Sequence, residues 1–211
     1  MRAFFVGLAL LGFLSTAAYT FWREDLRYSQ PTPAPADYVP VNTGDRPALN
    51  VATPGDRPTL LHFFSPDCPC SRFNLDHFES LLRRYRERVH VVAVLPKGYD
   101  GRAAGYAADW RIPVRVDTDG ALAKACGVYS TPQAVLLDDQ SAIFYRGNYN
   151  RSRYCTQPRT AYVQNALHLM LDDKEATPAE VSEALGRPYG CAFNGPEANF
   201  FDYVLNYLTK P

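Results

Sequence analysis

Residues 59–73 read TLLHFFSPDCPCSRF, and residues 129–137 read YSTPQAVLL. The first six positions, Thr59 to Phe64, are a short apolar run of the length expected for a buried strand. Ser65, Pro66 and Asp67 break it. Phe78, Leu81, Leu82 and Tyr85 then recur at i, i+3, i+4 and i+7, one face of a helix ending near Arg88. Cys68 and Cys70 therefore fall between a strand and the first turn of a helix. A helix N-terminus stabilises a thiolate, and the thiolate is the attacking form of cysteine. Pro69 is compatible with that first turn.

Beyond this stretch, Val89–Leu95 is a second strand ended by Pro96, Lys97 and Gly98, and an Ala-rich helix covers Ala103–Trp110. Ile112–Val116 is a third strand. Asp117, Thr118, Asp119 and Gly120 form a turn that caps the helix Ala121–Cys126, stopped by Gly127. Ala134–Leu137 and Ala142–Tyr145 flank Asp138–Gln140 as a hairpin, and Arg159–Leu171 closes the domain as a helix. Alternation of strands and helices predicts an α/β fold: a mainly parallel central sheet with an antiparallel edge hairpin and helices on both faces. Thr131-Pro132, immediately before the hairpin, fits a cis peptide bond.

The chain begins differently. Ala3 to Trp22 are twenty positions without a charge, enough for a helix to cross the hydrocarbon core of a bilayer. Arg2 precedes the stretch, which favours a cytoplasmic N-terminus and export of the rest of the chain. Small residues at Ser15–Ala18 offer a cleavage point, but the apolar run continues past it and a retained anchor is expected. The reading is thus of residues 1–28 as a transmembrane anchor, 29–58 as a proline-rich linker, 59–173 as the α/β domain and 174–211 as a helical extension. Seven prolines fall between Ser29 and Pro58. The first third of the linker reads as an extended spacer holding the domain off the bilayer; Tyr38, Val39, Val41 and Leu49 are expected to dock on the domain edge. In the extension, Thr177–Leu185 reads as a capped helix, and Asn199–Leu208 places Phe200, Val204, Tyr207 and Leu208 on one face. The expected location is the inner membrane, single-pass, with the domain on the periplasmic side, where disulfides persist.

Composition narrows the function. The 211 residues hold 22 Lys and Arg against 22 Asp and Glu, so no basic field is present to capture nucleic acid. Hydrophobic residues at 46% and charged residues at 21% exclude wholesale disorder. Five cysteines are too few for a disulfide scaffold, and an odd number leaves at least one thiol outside any internal pairing.

FFSPDCPCSRF followed by a helix, and then GVYSTPQAVLLDD, resembles the thioredoxin-like superfamily, in particular its membrane-anchored extracytoplasmic redoxin and TlpA-like branches. The resemblance covers about residues 47–173 and implies a thioredoxin-like domain there. It also implies that Cys68 is the attacking cysteine of a thiol–disulfide oxidoreductase and that Thr131-Pro132 is the residue pair touching the active site, with a cis proline. Protein or small-molecule disulfides and thiols are the implied substrates. The family's usual C-x-x-C is absent: Ser71 stands three after Cys68, and the second thiol is Cys70. Either Cys68 and Cys70 form a small, strained redox ring, or a distant cysteine resolves Cys68.

The other thiols are read separately. Cys126 lies on a small-residue helix and reads as a buried core thiol. Cys155 lies where Ser141–Leu171 carries no Asp or Glu but holds Arg146, Arg151, Arg153 and Arg159; that field either lowers the Cys155 pKa or is a solvated basic loop. Cys191 either swings back to resolve Cys68 or bridges Cys155 and staples the tail, the bridge being the preferred pairing. Ser71 is expected to hydrogen-bond a sulfur. Two alternatives stand beside the oxidoreductase. A peroxiredoxin-like peroxidase has Ser65 at the right position before Cys68 but Leu61 where that family has proline. The other is a non-enzymatic module, either binding Cu(I) through Cys68, Cys70 and a histidine or acting as an assembly partner in the membrane. Neither a cofactor nor a metal site is assigned.

Overall fold

The computed structural model describes residues 1–49, 57–172 and 187–195. The two helical segments expected at 177–185 and 199–208 lie outside the described residues, as does the linker at 50–56. Helix α1 (Arg2–Phe21) runs through a π-helical turn at Trp22–Leu26 into α2 (Arg27–Ser29). Together these 28 residues are long and apolar enough to cross a membrane, and none of the most apolar window is buried in the protein.

The domain follows as β1 (Thr59–Phe63), α3 (Pro69–Phe73), α4 (Leu75–Tyr85), β2 (His90–Pro96), α5 (Asp100–Trp110), β3 (Val114–Asp117), α6 (Ala121–Ala125), β4 (Ser130–Thr131), β5 (Gln133–Leu137), β6 (Ile143–Gly147), α7 (Tyr162–Asp172) and β7 (Cys191–Ala192). The main sheet has the order β3-β2-β1-β5-β6. Strands β1 to β3 pair in parallel, while β5 pairs antiparallel with both β1 and β6, so four of the five strands share one direction. With the cis peptide at Thr131-Pro132 ahead of β5, this is the thioredoxin-like fold. The tiny second sheet, β4 with β7, had no sequence signal.

Every residue of β1 is buried, because helices cover both faces of the sheet. Leu60 and Phe64 join the side packed under α4, α5 and α7, with Phe78, Trp110 and Leu167. Leu61 and Phe63 join the side packed under α6, with Cys126 and Phe193. Asp117 is buried and accepts the backbone N–H groups of Leu122 (3.1 Å) and Ala123 (2.9 Å), which caps α6 as expected.

His62 is the titratable residue in this apolar strand. Its ring stacks on Phe78 at 3.7 Å, and its Nδ1 shares a 2.6 Å hydrogen bond with the Tyr149 hydroxyl. Burial without a counter-charge pushes its pKa from 6.5 down to about 3. The unfolded chain binds the proton near pH 6.5 and the folded chain only near pH 3. The full contribution is therefore present above pH 6.5 and is lost as pH falls through that window, at up to about 1.4 kcal/mol per unit. His77, shifted in the same direction by burial, adds to the slope. Denaturant midpoints at pH 7.5 and 4.5 are expected to differ clearly for the wild type and less for His62→Phe.

The linker follows the N-terminal helix. Its first residues lie against the domain: Thr32 is buried, and Pro31 bridges Tyr189. The physical reason is that the proline-rich backbone, poor in internal hydrogen bonds, is free to pair with a neighbouring edge. Further along, Val41 and Leu49 pack on the core and the Tyr38 ring meets Tyr129 at 4.9 Å, as expected for docking on the domain edge, whereas Val39 stays exposed.

Candidate functional site

Cys68 caps the start of α3 with extended backbone, Pro69 occupies the first turn, and Asn74 in a helical conformation links α3 to α4. The Cys68 sulfur lies 3.4 Å from the Thr131 carbonyl oxygen. It is bonded to Cys191, 123 residues away, with Cα atoms 5.9 Å apart. Of the two alternatives for Cys68 this is the distant cysteine rather than Cys70, and the preferred Cys155–Cys191 bridge is not formed. Strand β7 is the reason, since it pairs Cys191 with Thr131 and Ala192 with Ser130 and so carries Cys191 to Cys68 rather than to Cys155.

That pairing needs a glycine. Gly190 has φ +113, and a Cβ there would fall inside the Thr131 carbonyl oxygen. On the other side, the Thr32 N–H donates to the Pro188 carbonyl at 2.7 Å, and the Thr32 hydroxyl to the Gly190 carbonyl at 3.4 Å. The tail segment is thus held between the linker and the proline loop.

Ser71 bonds to Ser65 and Thr131. The Ser65 N–H donates to Ser71 Oγ at 3.3 Å, Ser71 Oγ and Thr131 Oγ1 lie 2.9 Å apart, and Thr131 Oγ1 donates to the Phe63 carbonyl at 3.1 Å. With Thr131 donating to Phe63, Ser71 donates to Thr131. This buried chain ties the end of β1, helix α3 and the proline loop together with each hydroxyl satisfied.

Cys70 is fully buried in α3 and forms one apolar cluster with Cys68, Cys191 and Tyr28. Tyr28 belongs to the last turn of the apolar N-terminal helix, so the end of that helix is a wall of the disulfide site. Arg153 holds it there: its guanidinium pairs with Asp25, donates to the Glu24 carbonyl at 3.4 Å and lies 5.7 Å from the centre of the Tyr28 ring. Arg153 is therefore buried in an ion pair, not part of a solvated basic loop. Cys155 does not gain a low pKa from its arginines. Burial pushes its thiol up to about 12, and Sγ donates to Asn74 Oδ1 at 3.1 Å. Cys126, fully buried, is raised to about 12 in the same way. Among the described residues no group of three or more His, Cys, Asp and Glu side chains is arranged to hold a metal ion.

Sequence reasoning thus missed Tyr28 and Gly190 as parts of the site. The glycine directly before Cys191 was a usable signal; Tyr28 had none, since it reads as the flank of a membrane helix.

Several solved structures share the fold. A hypothetical protein from Sinorhizobium meliloti 1021 is 20% identical, with a TM-score of 0.55 and coverage of 67% of this chain and 81% of that one. An uncharacterized conserved protein from Geobacillus kaustophilus is 22% identical, with a TM-score of 0.56 and coverage of 68% and 80%. A putative thioredoxin from Neisseria meningitidis is 20% identical over 59% of this chain and 81% of that one, with a TM-score of 0.45. At these identities the likeness is one of fold. No curated protein matches the chain. One family model matches residues 42–191, a span that takes in both Cys68 and Cys191, and the chain belongs to that family, described as a domain of unknown function, DUF6436.

Proposed function

We propose that the protein is a membrane-anchored thiol–disulfide oxidoreductase whose redox pair is Cys68 and Cys191, acting on the extracytoplasmic side. The observation that carries this is the Cys68–Cys191 bond itself, set between the start of a helix and the proline loop of a thioredoxin-like fold. In the cycle, the Cys68 thiolate attacks a substrate disulfide and forms a mixed disulfide, releasing one substrate thiolate. The Cys191 thiolate then attacks the Cys68 sulfur, which releases the second substrate thiol and leaves the Cys68–Cys191 bond. An external thiol reductant returns the pair to its dithiol form. Thr131 and Ser71 position the proline loop against the sulfurs, and Cys70 packs beneath them. Residues 59–173, completed by strand β7 from the tail, form the redox domain in this reading.

The distance in sequence between Cys68 and Cys191 also favours a second reading, a thiol peroxidase. There peroxide oxidises Cys68 to a sulfenic acid, and Cys191 condenses with it, expelling water. Non-reducing peptide mass spectrometry of the full-length protein is expected to recover the Cys68–Cys191 peptide pair after mild oxidation. Recovery of a Cys68–Cys70 bond, or of both cysteines still reduced, overturns the proposal. Oxidation by stoichiometric hydrogen peroxide at enzyme-like rates moves the peroxidase reading ahead.

A further inference from the structure

The edge of β4, where an extended peptide would add a strand, is already taken by β7. The disulfide is covered from a second side by Tyr28, and its two cysteines are 2% and 5% exposed. A cleft of about 360 Å³ nevertheless reaches it, with Cys68, Cys191, Tyr28, Arg27, Lys97 and Tyr99 in its wall. That volume lies at the small end of ligand pockets and admits a molecule of tripeptide size.

The charge in the cleft is one-sided. Asp67, its acidic residue, accepts from the Tyr99 hydroxyl at 2.6 Å and pairs with Arg102 at 3.3 Å, so its charge is already answered. Among the described residues, no carboxylate pairs with Arg27 or Lys97. The Arg27 Nε is moreover buried with no hydrogen-bond partner among them. A guanidinium and an ammonium at the mouth of a disulfide are the complement of a small thiol that carries carboxylates.

We infer that the cleft is a binding site for a low-molecular-weight anionic thiol of tripeptide size, which exchanges with the Cys68–Cys191 disulfide while β7 stays in place. This rests on the redox reading of that pair. The thiolate of the small molecule attacks the Cys191 sulfur; the Cys68–Cys191 bond breaks, and its electron pair leaves on Cys68. A second molecule of the thiol attacks the mixed disulfide, forms the small-molecule disulfide and frees the Cys191 thiolate. Two thiols are oxidised and one protein disulfide is reduced.

The test uses oxidised full-length protein in nanodiscs of zwitterionic lipid, with glutathione and its diethyl ester as probes. They share size and thiol but not the carboxylates. Reduction is followed by thiol trapping and mass spectrometry. Glutathione, compared at equal thiolate concentration, is expected to reduce the bond about tenfold faster than the ester, a preference that falls with salt. Arg27→Gln/Lys97→Gln protein loses the preference, while Lys124→Gln protein, altered outside the cleft wall at its Asp37 pair, keeps it. Equal rates for the two probes in the wild type, or a preference that survives in the double variant, overturn the inference. Dithiothreitol separates the two levels of the argument. If it also fails to reduce a Cys68–Cys191 bond, or no such bond is present, the redox reading itself falls.

Discussion

Cys68→Ser protein is expected to lose thiol–disulfide exchange by roughly a thousandfold or more, the scale on which removing a nucleophile acts. A serine hydroxyl is not ionised at neutral pH, and the attacking species in exchange is the thiolate. The partner variants separate the roles. Cys191→Ser leaves a Cys68 that still attacks but is not resolved, so a mixed disulfide with a model disulfide substrate accumulates and turnover stops. Cys70→Ser, which alters a thiol buried beneath the pair, keeps the Cys68–Cys191 bond and most of the turnover. Turnover assays run beside non-reducing gels check all three. Wild-type turnover in Cys191→Ser, with trapping in Cys70→Ser, would make Cys70 the resolving residue.

Gly190→Ala is expected to open the same bond without touching a sulfur. At φ +113 an alanine is strained on its own account, and its Cβ meets the backbone oxygen of Thr131, which has no flexible side chain to move aside. Only withdrawal of 188–192 relieves it, and that undoes the pairing of Cys191 with Thr131. A cost of about 3 kcal/mol corresponds to roughly a hundredfold in the equilibrium for closing the disulfide. Equilibration in redox buffers, followed by thiol trapping, gives that constant directly. Gly101→Ala, where a new Cβ meets nothing within 4 Å, is the control and leaves it unchanged. An unchanged constant in Gly190→Ala would show that β7 is not what brings the cysteines together.

The legible parts of the molecule were those set by local pattern. The apolar run Thr59–Phe64, the helical spacing of Phe78, Leu81, Leu82 and Tyr85, and the hairpin around Asp138–Gln140 each follow from side chains near one another in sequence. They are found in β1, α4 and the β5–β6 hairpin. The helix boundaries moved by a few residues, as at α5, which begins at Asp100 rather than Ala103, because backbone hydrogen bonds extend past the apolar stripe. Less legible was anything decided by desolvation. The arginines around Cys155 suggest a low pKa on paper, but Arg153 is spent on Asp25, and burial dominates at the thiol.

Local sequence alone sets the order of strands and helices, the apolar N-terminal helix, and the placement of Cys68 at a strand-to-helix turn ahead of a Thr-Pro loop. Each is encoded by periodicity and turn chemistry over a handful of neighbouring residues. Which cysteine meets Cys68, and what covers the pair, is settled only in the folded chain. Cys191 and Tyr28 lie 123 residues after and 40 residues before it, and contacts across such separations leave no periodic trace. They depend on where β7 and the end of the apolar N-terminal helix come to rest, which the backbone pairing at Thr131 and the glycine at 190 fix by shape.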